Sequence, residues 1–210
     1  YSFPTPNGIK VSIMLEETGL PYEAHTVTLA DADVKSPEFL SLNPNNKIPA
    51  IVDPDGPNGQ PMGLWASGAI LIYLAEKTGK LLPLDPAKRY QVIQWVMFQM
   101  GGVGPMFGQL GFFYKFAGSA IEDPRPRDRY IAETKRLLNV IEQQLDDQDW
   151  ICGDYSIADI ALGGWLRALD FYGAKETVGW DSFPNTVAYV DRFSARPAVQ
   201  RGSVIPTREG

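Results

Sequence analysis

With 210 residues, 44% of them hydrophobic and 21% charged, the chain is long enough to bury one or two cores and too apolar to be disordered. Nineteen Lys and Arg against twenty-five Asp and Glu leave a net charge of -6 and a pI near 4.8, the wrong sign for a protein that neutralises phosphates, so nucleic acid is not expected as a partner. One cysteine, Cys152, excludes an intrachain disulfide and a Cys-x-x-Cys redox pair, and one histidine, His25, leaves no second imidazole for a transition-metal site, so any thiol chemistry has to borrow its sulfur.

Residues 1–3 read as the end of a short strand, which Pro4-Thr5-Pro6-Asn7-Gly8 then breaks, because two prolines fix φ and the glycine accepts unusual backbone angles. Ile9, Val11, Ile13, Met14 and Leu15 give an apolar helical face that runs to Glu17 and stops at Gly19. After Pro21, residues 22–29 carry the Tyr, His, Val and Thr pattern of a second strand, so the chain opens as a βαβ unit. Ser36 and Pro37 prime a short helix, and Asn43-Pro44-Asn45-Asn46 turns the chain. A third strand over 47–53 is entered through Pro49, and the turn at 54–59 leads to a fourth over 62–65, paired antiparallel with it. Ser67 is placed to cap a helix over 68–77 that Gly79 ends, which completes ββα. The apolar run 68–75 within it is far short of the roughly 18–20 residues of a membrane span. With no such span and no charged-then-apolar leader, no membrane partner is expected and the expected setting is cytoplasmic; Tyr1 in place of Met leaves open what precedes it.

Beyond residues 81–85, a proline-bearing connector, every periodic segment is helical: 86–100, 127–145, 157–170 and 185–194. The expected organisation is an α/β domain over 1–80, a linker over 81–85 and an all-α domain over 86–210, with no internal repeat. Gly101 to Gly111, followed by Phe112, Phe113, Tyr114 and Phe116, interrupts helical periodicity. Aromatic core packing and an electrophile pocket or dimer groove both fit that stretch. Ser156-x-x-Asp159 has capping-box spacing and is assigned to folding rather than to a hydrolase triad, since the sole histidine falls in a strand of the other domain. Cys152 reads as a small buried hydrophobe and His25 as structural.

The βαβ-ββα order followed by helices resembles the cytosolic glutathione transferase family. Pro4-Thr5-Pro6-Asn7-Gly8, Asn45-Asn46-Lys47-Ile48-Pro49-Ala50-Ile51-Val52-Asp53, Ser67-Gly68-Ala69-Ile70 and Tyr73-Leu74-Ala75-Glu76-Lys77-Thr78-Gly79 resemble its bacterial Nu class and the fungal Ure2-like group. Gly101-Gly102-Val103-Gly104-Pro105-Met106 and Asp154-Tyr155-Ser156-Ile157-Ala158-Asp159 extend the likeness over nearly the whole chain. The resemblance implies a thioredoxin-like first domain, an all-helical second domain, glutathione as cosubstrate and a homodimer in which the first domain of one subunit meets the second domain of its neighbour. It also implies reduction of disulfides with glutathione as thiol donor, with glutathione disulfide and small electrophiles or disulfides as further partners. Modest conjugation or peroxide reduction, glutathione-dependent ether or thioether cleavage, and a regulatory member without catalysis stand as alternatives.

On this resemblance Thr5 and Asn7 are the catalytic pair beside the glutathione sulfur, at a helix N-terminus whose dipole lowers a thiol pKa. Residue type alone allows a tight turn instead. Ile48-Pro49 matches a cis-proline whose preceding backbone groups pair with the cysteinyl unit of glutathione, while a trans proline opening a strand is the plainer reading. Lys47 is expected at the glycine carboxylate and Ser67 at the γ-glutamyl carboxylate, set against ordinary solvation and capping. Arg129 is expected at a carboxylate of glutathione or of a second glutathione molecule, the alternative being a surface pair with Glu133. The chain carries Ala66 where most of the family has a glutamate, a departure that implies, if no other carboxylate substitutes, a loss of about 1–3 kcal/mol in glutathione binding. No metal is expected.

Overall fold

The computed structural model describes residues 1–207 and divides into two units, one of residues 1–80 together with residues 196–207, the other of residues 81–195. The first unit holds α1 (Gly8–Thr18), α2 (Asp31–Val34), α3 (Pro37–Leu42), β1 (Ala50–Asp53), β2 (Met62–Trp65) and α4 (Ser67–Thr78). β1 and β2 pair antiparallel from Ala50 opposite Trp65 to Asp53 opposite Met62, as the turn chemistry at 54–59 predicts. The two strands expected at 1–3 and 22–29 are reduced to a single parallel bridge between Ser2 and Thr26, held by Ser2 N–H to the His25 carbonyl (2.9 Å) and Val27 N–H to the Ser2 carbonyl (2.9 Å). Tyr1 and Ala50 in turn exchange two N–H···O bonds of 3.0 Å. The hydrogen bonds therefore run 22–29, 1–3, β1, β2, the lateral order of the βαβ-ββα reading even where the pairing is too short to count as strand.

Buried apolar side chains hold this unit together. Val27, Val34, Phe39, Ile48 and Ala50 cluster with Phe3 and Leu42, while Ile13 and Met14 of α1 and Ile70 and Leu71 of α4 are fully buried. Asp53 pins α4 to the sheet, accepting from Tyr73 Oη and Lys77 Nζ, each at 2.5 Å. Burial works against its charge, but these two donors and the Asp55 N–H outweigh it and hold the carboxyl below the ordinary range.

α11 (Pro197–Gly202) corrects the expected boundary, since it packs on α1 rather than completing the helical domain. Ser12 Oγ donates to the Gly202 carbonyl at 2.6 Å, and Arg196 makes a two-point pair with Glu17 at 2.7 and 3.0 Å. A Cβ on Gly202 would lie 2.6 Å from the Ile13 backbone, so only glycine permits this approach.

The second unit is helical: α5 (Pro86–Phe98), a π turn over Gln99–Val103, α6 (Gly104–Tyr114), α7 (Arg125–Gln144), α8 (Ile157–Tyr172), α9 (Lys175–Val178) and α10 (Pro184–Ser194). α8 is buried almost all round and packs against α5, α6 and α10. The glycine-rich stretch expected to interrupt helix is itself helix. Gly104, Gly108 and Gly111 line one face of α6, and a Cβ on Gly111 would sit 2.6 Å from the Tyr172 ring, while Gly104 and Gly108 lie against Trp165. Glycine here makes room for the aromatics of α8 instead of breaking the helix. Both halves of the capping box at the start of α8 are present, with Ser156 N–H donating to Asp159 at 2.8 Å.

Candidate functional site

Thr5 stands one turn before the body of α1 and closes its first turn. Its Oγ1 accepts the Gly8 N–H at 3.2 Å and its carbonyl accepts the Ile9 N–H at 3.0 Å. Thr5 thus takes part in the turn, and a hydroxyl that accepts through oxygen keeps its own proton to donate. Gly8 admits no side chain at this bend, because a Cβ would fall 1.9 Å from the Phe3 carbonyl oxygen.

Asn7 occupies the N-cap position of α1 with helical backbone angles and no capping bond from its side chain. Its Oδ1 instead accepts from Lys10 Nζ at 2.9 Å. The same Nζ donates to Ser67 Oγ at 3.1 Å. One lysine amino group thereby ties the amino ends of α1 and α4 together, bringing two of the expected site residues to one point. Burial drives the Lys10 amine well below the ordinary lysine range, since a charge there has left water. Sequence reading passed over Lys10. Its one visible signal is the i, i+3 spacing from Asn7, which places both on one helix face; the Ser67 partner is 57 residues away and has no local signature.

Ser67 does not cap α4 as expected. It is the first helical residue, buried, with its hydroxyl turned to Lys10, and the N-cap is Ala66, whose carbonyl accepts the Ile70 N–H at 3.0 Å. The reason is the backbone of Ala66, at φ 69° and ψ 110°, which swings the chain into the helix one residue earlier than the sequence suggests. The opening N–H groups of such a helix lack intrahelical acceptors and suit a carboxylate.

The Ile48-Pro49 bond is cis. Among the described residues neither the N–H nor the carbonyl of Ile48 has a hydrogen-bond partner, while Asn43 Nδ2 braces the preceding Lys47 carbonyl at 2.5 Å. The Tyr1–Ala50 pairing sets this segment beside residues 1–3, from which the chain passes directly to Thr5. Lys47 is exposed, without an ion pair among the described residues. Arg129 lies in the second unit, largely exposed on α7, and is paired with Glu133 at 3.6 Å, the plainer of its two readings.

Cys152 is half-buried. Burial, and then the charge of Asp159, push its thiol up to about 12, so it is protonated at neutral pH and no nucleophile. His25 stacks on Tyr1 with ring centroids 4.6 Å apart, a structural contact. No group of His, Cys, Asp or Glu among the described residues has the makings of a metal site, and no described helix is long and apolar enough to cross a membrane. A cavity of about 610 Å³ opens elsewhere in the first unit, between Val27, Ser36, Phe39, Leu42 and Val52; none of the expected site residues lines it.

Residues 5–77 match the glutathione S-transferase N-terminal domain and residues 109–197 the C-terminal domain of the same family. The disulfide-bond oxidoreductase YfcG of Escherichia coli is 42% identical over 94% of this chain and 90% of its own length, and YghU of the same organism is 38% identical over 100% and 75%. Among solved structures, a glutathione transferase from Burkholderia graminis, with two glutathione molecules bound per subunit, is 65% identical and superposes with a TM-score of 0.97 over 99% of this chain and 88% of its own. One from Pseudomonas putida, with one glutathione disulfide per subunit, is 59% identical with a TM-score of 0.97 over 98% and 90%. The chain belongs to the glutathione S-transferase family.

Proposed function

We propose that this protein is a Nu-like glutathione transferase that reduces disulfides with glutathione as the thiol donor. The observation that carries the reading is that a chain 42% identical to a disulfide-bond oxidoreductase holds one thiol, half-buried Cys152, away from the amino end of α1. The attacking sulfur then comes from outside the chain, and the family likeness makes glutathione its source. Thr5 supplies a hydroxyl proton and Asn7 a backbone or amide N–H to that sulfur at the amino end of α1, where the helix dipole favours the thiolate. The unpaired Ile48 N–H and carbonyl take the cysteinyl backbone as a short ladder, Ser67 and the start of α4 take the γ-glutamyl carboxylate, and Lys47 the glycine carboxylate. Arg129 binds a carboxylate of glutathione or of a second molecule; two glutathiones per subunit in the Burkholderia graminis protein support this role.

The bound thiolate attacks one sulfur of the substrate disulfide and expels the other as a thiolate, leaving a mixed disulfide. A second glutathione thiolate attacks the glutathione sulfur of that mixed disulfide and releases the remaining substrate thiolate, and the two protons given up by the glutathione thiols go one to each expelled substrate thiolate. Two glutathiones become glutathione disulfide and one substrate disulfide becomes two thiols. Replacing Thr5→Ala and Asn7→Ala together is expected to lower turnover of 2-hydroxyethyl disulfide by about a hundredfold, the scale of lost transition-state donors. Unchanged turnover would refute the assignment. A homodimer and a cytoplasmic setting complete the proposal, on the strength of the family likeness.

A further inference from the structure

We propose that Lys10 is a positioning residue of the thiol site, fixing which face of the Asn7 amide meets the sulfur and joining that amide to the Ser67 hydroxyl. The inference rests on the glutathione reading above and deepens it. An asparagine amide has an accepting edge and a donating edge, and rotation by a half turn exchanges them. Lys10 Nζ, donating to Oδ1 at 2.9 Å, claims the accepting edge and leaves the Nδ2 N–H groups facing the other way. A thiolate needs that donating edge, because the oxygen would repel it. The same Nζ holds Ser67 Oγ at 3.1 Å, so movement of either helix end is felt by the other. Lys10 is fully buried, and a lysine there is a costly choice for a helix face that could have been filled by methionine or leucine. Burial also drives its amine well below the ordinary range, because a charge there has left water.

The test is the thiol pKa of bound glutathione, read from thiolate absorbance near 240 nm across a pH series, in the wild type, Lys10→Met, Asn7→Ala and the double variant. Lys10→Met is expected to raise that pKa by about one unit, the size of one lost donor orientation. Asn7→Ala is expected to raise it too, and the double variant no further than Asn7→Ala alone, because without the amide Lys10 has nothing to orient. Lys10→Gln, one atom too short to reach both oxygens, is expected to shift it in the same direction and serves if the methionine variant does not fold. A wild-type pKa in folded Lys10→Met, shifts that add in the double variant, or failure of both Lys10 variants to fold would each overturn the proposal. A wild-type protein that leaves the glutathione thiol at its solution pKa would overturn the glutathione reading itself, a result distinct from a lowered wild-type pKa that no Lys10 variant changes.

Discussion

Ala66 sits where the chain turns into α4, with φ at 69°, a region an L side chain enters at a cost of about 1–3 kcal/mol. Glycine there removes the Cβ clash, so Ala66→Gly is expected to raise thermal stability by a few degrees, read by calorimetry, although the freer unfolded chain offsets part of the gain. Ala66→Glu addresses binding instead. A carboxylate restored at this position is expected to tighten glutathione by about tenfold in a calorimetric titration, the scale of one charge-assisted hydrogen bond. Unchanged affinity would retire the argument that the missing glutamate matters. Asp159 shows how far one buried carboxylate can act. It accepts from the Ile151 N–H, the Ser156 N–H and Tyr189 Oη, and burial, outweighing these donors, pushes it up to about 6. Because its folded pKa lies above the ordinary 3.8, its contribution to stability is complete below that value and is lost as pH rises through about 6. Asp159→Asn is expected to flatten the stability profile between pH 4 and 6, at the expense of mispaired donors and a lower melting temperature throughout. A variant that keeps the wild-type slope would show that another group titrates there.

At the scale of elements, the contacts most open to test are those where glycine lets two helices meet. Gly111→Ala drives a methyl into the Tyr172 ring and Gly163→Ala one into Phe193, at 2.6 and 2.4 Å, and each is expected to cost about 1–3 kcal/mol in denaturant unfolding. Gly202→Ala strikes the Ile13 backbone, which cannot move aside as a side chain can, so a larger loss is expected there. These elements also mark what a sequence does and does not disclose. α1, α4, α7, α8 and the β1–β2 hairpin announce themselves through apolar spacing, Gly19, Gly79 and the Ser156-x-x-Asp159 box, all of them local signals. α6 is hidden because its glycines read as breakers when they are seats for Trp165 and Tyr172 on another helix. The return of α11 to α1 is hidden for the same reason: Ser12 to Gly202 spans 190 residues, and neither residue alone hints at the other.

For the whole molecule, the local geometry of the candidate site is legible where a short motif sets it, as in the turn at Thr5 to Gly8 and the Ile48-Pro49 bond, and illegible where two distant segments meet, as Lys10 with Ser67. The capping role expected of Ser67 failed on the same ground, since the backbone of Ala66 and the buried amine together redirect the hydroxyl. A chain of 23.2 kDa proposed to act as a homodimer is expected to sediment at twice that mass at micromolar concentration, and a single monomeric boundary would contradict the proposed assembly.

A borrowed sulfur is proposed to rest at the amino end of α1. A crystal structure of the protein grown with glutathione tests it most directly. The glutathione Sγ is expected within roughly 3.5 Å of Thr5 Oγ1 and of an Asn7 N–H. A sulfur found anywhere beyond reach of both, with the tripeptide otherwise ordered, would contradict it.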